Sequence, residues 1–151
     1  MTKDQRVYLD SSAIIKRYVM ENGSPQIRSY YLKMYSGDTS LCFSIWNFGE
    51  VLGVFDRLTR RKILDAGTHK IIRERFLSES LRLHKIGQLK IIPLVNKIIE
   101  ESWVFIEENH IYQADAIQLA SARNLDVDEF VTGDKNLGEI AKNSGLNTIL
   151  V

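Results

Sequence analysis

The chain is expected to adopt an α/β fold whose mainly parallel sheet of about five strands is covered on both faces. Short β-rich runs recur along the sequence and helical stretches separate them, which implies right-handed crossovers rather than hairpins. With 151 residues, 44% of them hydrophobic and 26% charged, the chain fits one soluble globular domain over residues 1–151. A domain of that size buries about two thirds of its unfolded surface. No repeats, low-complexity tracts or linkers interrupt it.

The elements follow from local signals. Residues 6–9 form an apolar run ending at Asp10, and residues 11–20 continue as a helix. Ser24-Pro25 reads as an N-cap followed by proline at the first helical position, which starts a helix to about Tyr35 that Gly37-Asp38 ends. Residues 41–43 make a second strand, Ser44 is placed to cap a helix to about Arg61, and Asp65 to cap a basic helix to about Lys85 closed by Gly87. Residues 89–92 form a third strand stopped by Pro93. Amphipathic helices are expected over 95–108 and 112–124, a fourth strand over 129–132, a helix over 136–143 with Gly145 at its end, and a last strand over 148–151.

Composition excludes several classes. One cysteine, Cys42, cannot build an intramolecular disulfide framework and reads as core packing; with three scattered histidines it also argues against a zinc-type Cys/His site. No cationic leader with a short apolar core opens the chain, and no apolar run approaches the roughly 18 residues of a membrane span. The expectation is a cytoplasmic protein without membrane partners.

The formal charge of +1 conceals an uneven distribution. Residues 57–90 hold ten Lys/Arg, among them Arg57, Arg60, Arg61, Lys62 and Arg73, against three acids, whereas residues 95–130 hold eight acids against two bases. A basic block beside an acidic one suits a polyanion brought to a metal, and the same five cations are the candidate RNA contacts. The alternative is two solvated helix faces.

Four carboxylates stand out by position. Asp10 ends the first strand, where open α/β sheets place ligands, although an aspartate there also serves as a helix N-cap. Asp134 follows the fourth strand with the same two readings. Glu50 points away from the apolar stripe of Ile45, Phe48, Leu52 and Phe55, as a solvated glutamate would, yet Gly49 and Gly53 flank it and suggest close approach by another element. Asp115 shares a helix face with Ile111, Tyr112, Leu119 and Ala122, so it needs either a core partner or a cation.

The segments around these acids, Tyr8-Leu9-Asp10-Ser11-Ser12-Ala13, Trp46-Asn47-Phe48-Gly49-Glu50-Val51, Ala114-Asp115-Ala116-Ile117-Gln118-Leu119 and Val131-Thr132-Gly133-Asp134-Lys135-Asn136, resemble in order and spacing the four acidic motifs of the PIN domain, especially its VapC-like toxin type. The resemblance spans nearly the whole chain. It implies a three-layer α/β/α fold and a ribonuclease in which Asp10, Glu50, Asp115 and Asp134 bind Mg²⁺, with Mn²⁺ as a substitute, and activate a water. It also implies supporting hydrogen bonds from Ser12 and Thr132. At Asn136 many relatives carry a further aspartate; the amide keeps an oxygen ligand but loses a charge. Gln118 stands where a histidine is common. Toxins of this type form homodimers and are held by a small antitoxin, whose arginine could pair with the same carboxylates.

Other readings compete with a toxin ribonuclease. A PIN nuclease of RNA maturation would carry the same acids, and a catalytically weak PIN-like module would bind RNA or protein without cutting. An aspartyl phosphatase would need a second aspartate where this chain has Ser12.

Overall fold

The computed structural model describes residues 4–151. In chain order the elements are β1 (Gln5–Leu9), α1 (Ser11–Tyr18), α2 (Ser24–Tyr35), β2 (Thr39–Ser44), α3 (Trp46–Arg60), α4 (Ala66–Lys85), β3 (Leu89–Ile92), α5 (Asn96–Asn109), α6 (Gln113–Asn124), β4 (Glu129–Thr132), α7 (Lys135–Asn143) and β5 (Thr148–Leu150). The strands form one all-parallel sheet in the order β3-β2-β1-β4-β5.

Alternation along each strand divides the interior into two cores. Val7 and Leu9 of β1, with Leu41 and Phe43 of β2, pack under α1 to α4, while Tyr8, Cys42 and Phe130 face the layer of α5 to α7. Phe76 of α4 anchors the first core by ring contacts with Tyr18, Phe48 and Phe55. Glu79 ties that layer together, accepting from Arg17 and Tyr18 of α1 and from Tyr35 of α2. In the second core, α6 buries every residue from Ala116 to Ala122, and its small side chains admit α5 close alongside.

The strand order decides where a site can form. The chain lays down β1, builds outward through β2 and β3, then crosses to the other side of β1 for β4 and β5. The segment leaving β1 enters the first helical layer and the segment leaving β4 enters the second, so a crevice opens between their carboxyl ends.

Several expectations need correction. Ser24 is the first residue of α2 rather than its cap; the cap is Gly23 at φ 91°, where a Cβ would meet the Val151 carbonyl carbon at 2.8 Å. Ser44 ends β2 by pairing with Ile92, and α3 begins at Trp46 with Ile45 as a cap residue whose side chain makes no capping bond. The Ser44 hydroxyl nonetheless accepts from the Trp46 N–H at 3.1 Å. Nothing approaches within 4 Å of a Cβ built on Gly49 or Gly53, so these glycines open the α3 surface instead of admitting a neighbour. Tyr112 is 87% exposed and is not part of a buried face.

The two charge blocks meet only at the cleft that Arg57 and Asp115 both line, and elsewhere they are not side by side. The basic one lies on the α3–α4 layer and the acidic one on α5–α6, across the sheet. Ile14, Ile15, Ile27 and Tyr31 are core residues, as is Cys42. Asp65 caps α4 through the Thr68 N–H at 2.8 Å, as expected. Among the described residues, no helix is long and apolar enough to cross a membrane.

Candidate active site

Each of the four acids leaves the carboxyl side of the sheet by a different route. Asp10 directly follows β1, Asp134 follows the Thr132-Gly133 end of β4, Glu50 lies just over one turn into α3 after β2, and Asp115 sits in the first turn of α6. All four line one open cleft of about 570 Å³, with Ser11, Ser12, Arg57 and Gln118 among its other walls.

Asp10, only 3% exposed, is the most constrained. Its Oδ1 accepts from the Ala13 N–H at 2.9 Å and from the Ser12 hydroxyl at 2.7 Å, and its Oδ2 accepts from the Thr132 hydroxyl at 2.5 Å. The Ser12 oxygen in turn accepts from the Gly133 N–H at 2.8 Å, and the Thr132 oxygen from the Asp134 N–H at 3.0 Å. These two hydroxyls stitch the ends of β1 and β4 together across the switch point. The capping and cleft readings of Asp10 hold together, because the cap and the two hydroxyls leave one acceptor position on Oδ2 and the residue still lines the cleft.

Asp134 is likewise the α7 cap, its Oδ1 accepting from the Leu137 N–H at 3.0 Å. Glu50 is half-buried, and its Oε1 accepts from the Ser11 hydroxyl at 2.8 Å and from Gln118 Nε2 at 3.0 Å. The side chain of Asp115, also half-buried, makes no hydrogen bond among the described residues. None of the four forms an ion pair among the described residues.

The consequence is a set of costly charges, desolvated first and repelled by one another second. Burial pushes the Asp10 carboxyl up to about 6, against the pull of Ser12, Thr132 and the Ala13 N–H, and the charge of Asp134 adds to the rise. Burial raises Glu50 as well, opposed by the Ser11 bond and reinforced by Asp115, and burial followed by the charge of Asp134 raises Asp115. A carboxylate chain of this kind, all hard oxygen and without a counter-ion, matches the donor chemistry of Mg²⁺ or Mn²⁺. The spacing is looser than a closed cage: among the described residues, no group of three or more His, Cys, Asp or Glu is gathered so as to hold a metal ion. That suits an ion bound through one or two carboxylates and completed by water and substrate phosphate.

No family model matches the chain, and no curated protein matches it. Solved structures do. Superposition on VapC20 of Mycobacterium tuberculosis, a sarcin-ricin-loop-cleaving toxin, gives a TM-score of 0.66 at 13% identity, covering 96% of this chain and 99% of that one. FitAcB from Neisseria gonorrhoeae gives 0.63 at 17% identity over 95% and 96%. VapBC2 from Rickettsia felis, bound to a promoter DNA fragment, gives 0.60 at 14% over 97% and 98%. The chain has a PIN-like, VapC-type fold. At these identities the likeness is one of architecture.

Within this PIN-like fold the remaining candidates separate. Ser12 and Thr132 contact Asp10 directly. Asn136 is exposed in the first turn of α7, outside the cleft lining. Of the basic candidates only Arg57 lines the cleft; Arg60 pairs with Asp56 at 2.8 Å, and Arg61, Lys62 and Arg73 are exposed away from it. Sequence reasoning passed over Ser11, Asn47 and the role of Gln118. The available signal was an amide three residues before Glu50 and another three after Asp115, each on a helix face that is otherwise buried.

Asp10 gives a pH-dependent stability with a definite sign. Between its ordinary value of 3.8 and about 6, the folded chain keeps a proton that the unfolded chain has lost, so stability declines as pH rises through that window and the full penalty stands above it. In chelator, Asp10→Asn is expected to lose less stability than the parent between pH 4 and pH 7, measured by urea denaturation. Equal losses in both proteins would contradict this assignment.

Proposed function

We propose that this protein is a divalent-metal-dependent endoribonuclease, acting in the cytoplasm as the toxin of a type II toxin–antitoxin pair. The observation that carries the reading is the convergence of Asp10, Glu50, Asp115 and Asp134, none in an ion pair among the described residues, on one cleft at the switch point of a VapC-type fold. The architecture shared with VapC20, described as a toxin that cleaves the sarcin-ricin loop, supports the substrate class.

The four carboxylates would supply the site for Mg²⁺, with Mn²⁺ as a substitute, one or two of them directly and the others through water. Such an ion, when bound, supplies an activated water and charge stabilisation for hydrolysis of a phosphodiester. The protein's own part is positional. Ser12 and Thr132 hold Asp10 in one orientation, and the Gly133 turn delivers Asp134 beside it. Water attacks phosphorus and the bond to the 3′ oxygen breaks, leaving that oxygen to take up a proton. Arg57 at the cleft wall offers a guanidinium to a flanking phosphate and is the one cation among the described residues that line the cleft.

FitAcB and VapBC2 support an antitoxin partner for this chain. An arginine of that partner, placed in the cleft, would occupy the carboxylates that the ion needs. A homodimer completes the expected assembly. The loose spacing of the acids favours one competing reading, a PIN-like module that binds RNA without cutting it.

Two outcomes follow. End-labelled RNA should be cut by purified protein with Mg²⁺ or Mn²⁺ and left intact in EDTA, and Asp115→Asn should lower the rate about 100-fold or more, since even indirect supports of a metal site are worth about 10- to 100-fold. Retained RNA affinity with no metal-dependent product would favour the binding module. Arg57→Ala should raise KM about 3- to 10-fold with kcat almost unchanged, and reduce the salt dependence of RNA binding by about one phosphate contact.

A further inference from the structure

A buried chain of amides leads from the backbone of β2 to Glu50. Its direction is fixed at the first link, where the Ser44 N–H donates to Asn47 Oδ1 at 2.7 Å. The Asn47 amide nitrogen must then donate outward, and it reaches Gln118 Oε1 at 2.8 Å and Ser11 Oγ at 2.9 Å. The Tyr8 hydroxyl donates to the same Gln118 oxygen at 2.6 Å. With its oxygen claimed by two donors, Gln118 has only its amide protons left to offer. Its Nε2 donates to Glu50 Oε1 at 3.0 Å, while the Ser11 hydroxyl, already accepting from Asn47, donates to that same oxygen at 2.8 Å.

Every link therefore runs one way, from a backbone donor that cannot reverse to a carboxylate that can only accept. Linked amides polarise one another in a low-dielectric interior, which strengthens the terminal bonds. Tyr8 and Asn47 are wholly buried and Gln118 is 2% exposed. A polar residue serving only to fill the core would end its bonds inside it. Gln118 instead carries them out of the core and into the acidic cleft, which it lines. Both bonds fall on Oε1, so Oε2, which accepts none among the described residues, is the oxygen left to a ligand in the cleft.

We infer that Gln118, oriented by Asn47 and Tyr8, is a positioning residue that clamps Glu50 by one oxygen and presents the other to the divalent cation. Its catalytic meaning rests on the ribonuclease reading. The direct requirement on position 118 is one acceptor toward Tyr8 and Asn47 and one donor toward Glu50. A neutral imidazole keeps the donor toward Glu50 and accepts from one of the two, the Tyr8 hydroxyl having Asn47 Oδ1 at 3.4 Å as its other acceptor, and a methionine keeps neither.

The test compares the parent with Gln118→Met and Gln118→His, all confirmed folded by circular dichroism, through Mn²⁺ binding followed by electron paramagnetic resonance without RNA. Gln118→Met is expected to bind Mn²⁺ about tenfold more weakly and Gln118→His to stay within about twofold of the parent, as for other outer supports of metal ligands. Equal affinity of the parent and Gln118→Met would overturn the inference. If the parent itself binds no Mn²⁺ even after an RNA oligonucleotide is added, the ribonuclease reading fails, and the clamp is judged on the metal-free protein alone. There, a Gln118 side-chain amide that is protected from exchange and shifts on Glu50→Gln supports it, and one exchanging freely with solvent refutes it.

Discussion

Carboxylates drawn out of water at one edge of a parallel sheet carry a cost, from burial first and from one another's charge second, and the rest of this structure is arranged around that cost. Burial and neighbouring carboxylates raise the proton affinity of Asp10, Glu50 and Asp115. The chain brings no counter-ion to any of them among the described residues. A site that stores unfavourable electrostatics without an internal remedy is one in which a bound ion does the most stabilising, since each carboxylate gains both a partner and release from its neighbours.

Holding the acids in place falls to groups that carry no charge. On the β1–β4 side the Ser12 and Thr132 hydroxyls bind Asp10 and receive the N–H groups of Gly133 and Asp134, so the strand ends and the first acid form one unit. On the β2–α6 side the amides of Asn47 and Gln118 do the same for Glu50. Asp115 alone has no such support, and it stands on the most deeply buried helix of the chain. Its position is set by the packing of α6 alone. The two helical layers leave the sheet in opposite directions at the switch point, and this opens the edge on which all of it depends.

Much of this was legible in the sequence for definable reasons. The strands at Leu89–Ile92 and Glu129–Thr132 match their predicted limits because apolar, β-prone runs there are bounded by glycine, proline or acidic residues. Asp10 and Asp134 could be set at the sheet edge from strand ends alone, whereas the gathering of Glu50 and Asp115 with them, from within α3 and α6, followed from the resemblance of the four motifs. The errors fell where backbone conformation or long-range pairing decides. Ser24 lost the cap to Gly23 because a left-handed residue before the helix leaves no hallmark beyond the glycine itself. Gly49 and Gly53 were read as a contact and proved to be open surface, since a glycine signals freedom of space without saying whether anything fills it. The adjacency of the charge blocks, which meet only at the cleft, was misjudged because they lie in opposite layers, a relation that linear order hides. Gln118 was passed over because its partners lie 71 and 110 positions away.

The measurement that bears most directly on the central claim is the melting temperature of the parent and of Asp115→Asn, each with and without Mn²⁺. If the acids are held against desolvation and mutual repulsion for a cation, the metal-free variant melts about 1–3 °C above the metal-free parent, a modest gain for a half-exposed charge in a chain of this length. Mn²⁺ then raises the parent and leaves the variant almost unmoved. A parent indifferent to Mn²⁺, together with a variant that melts below it, would show that Asp115 stabilises the fold through an interaction of its own and that the cleft is not built around an ion.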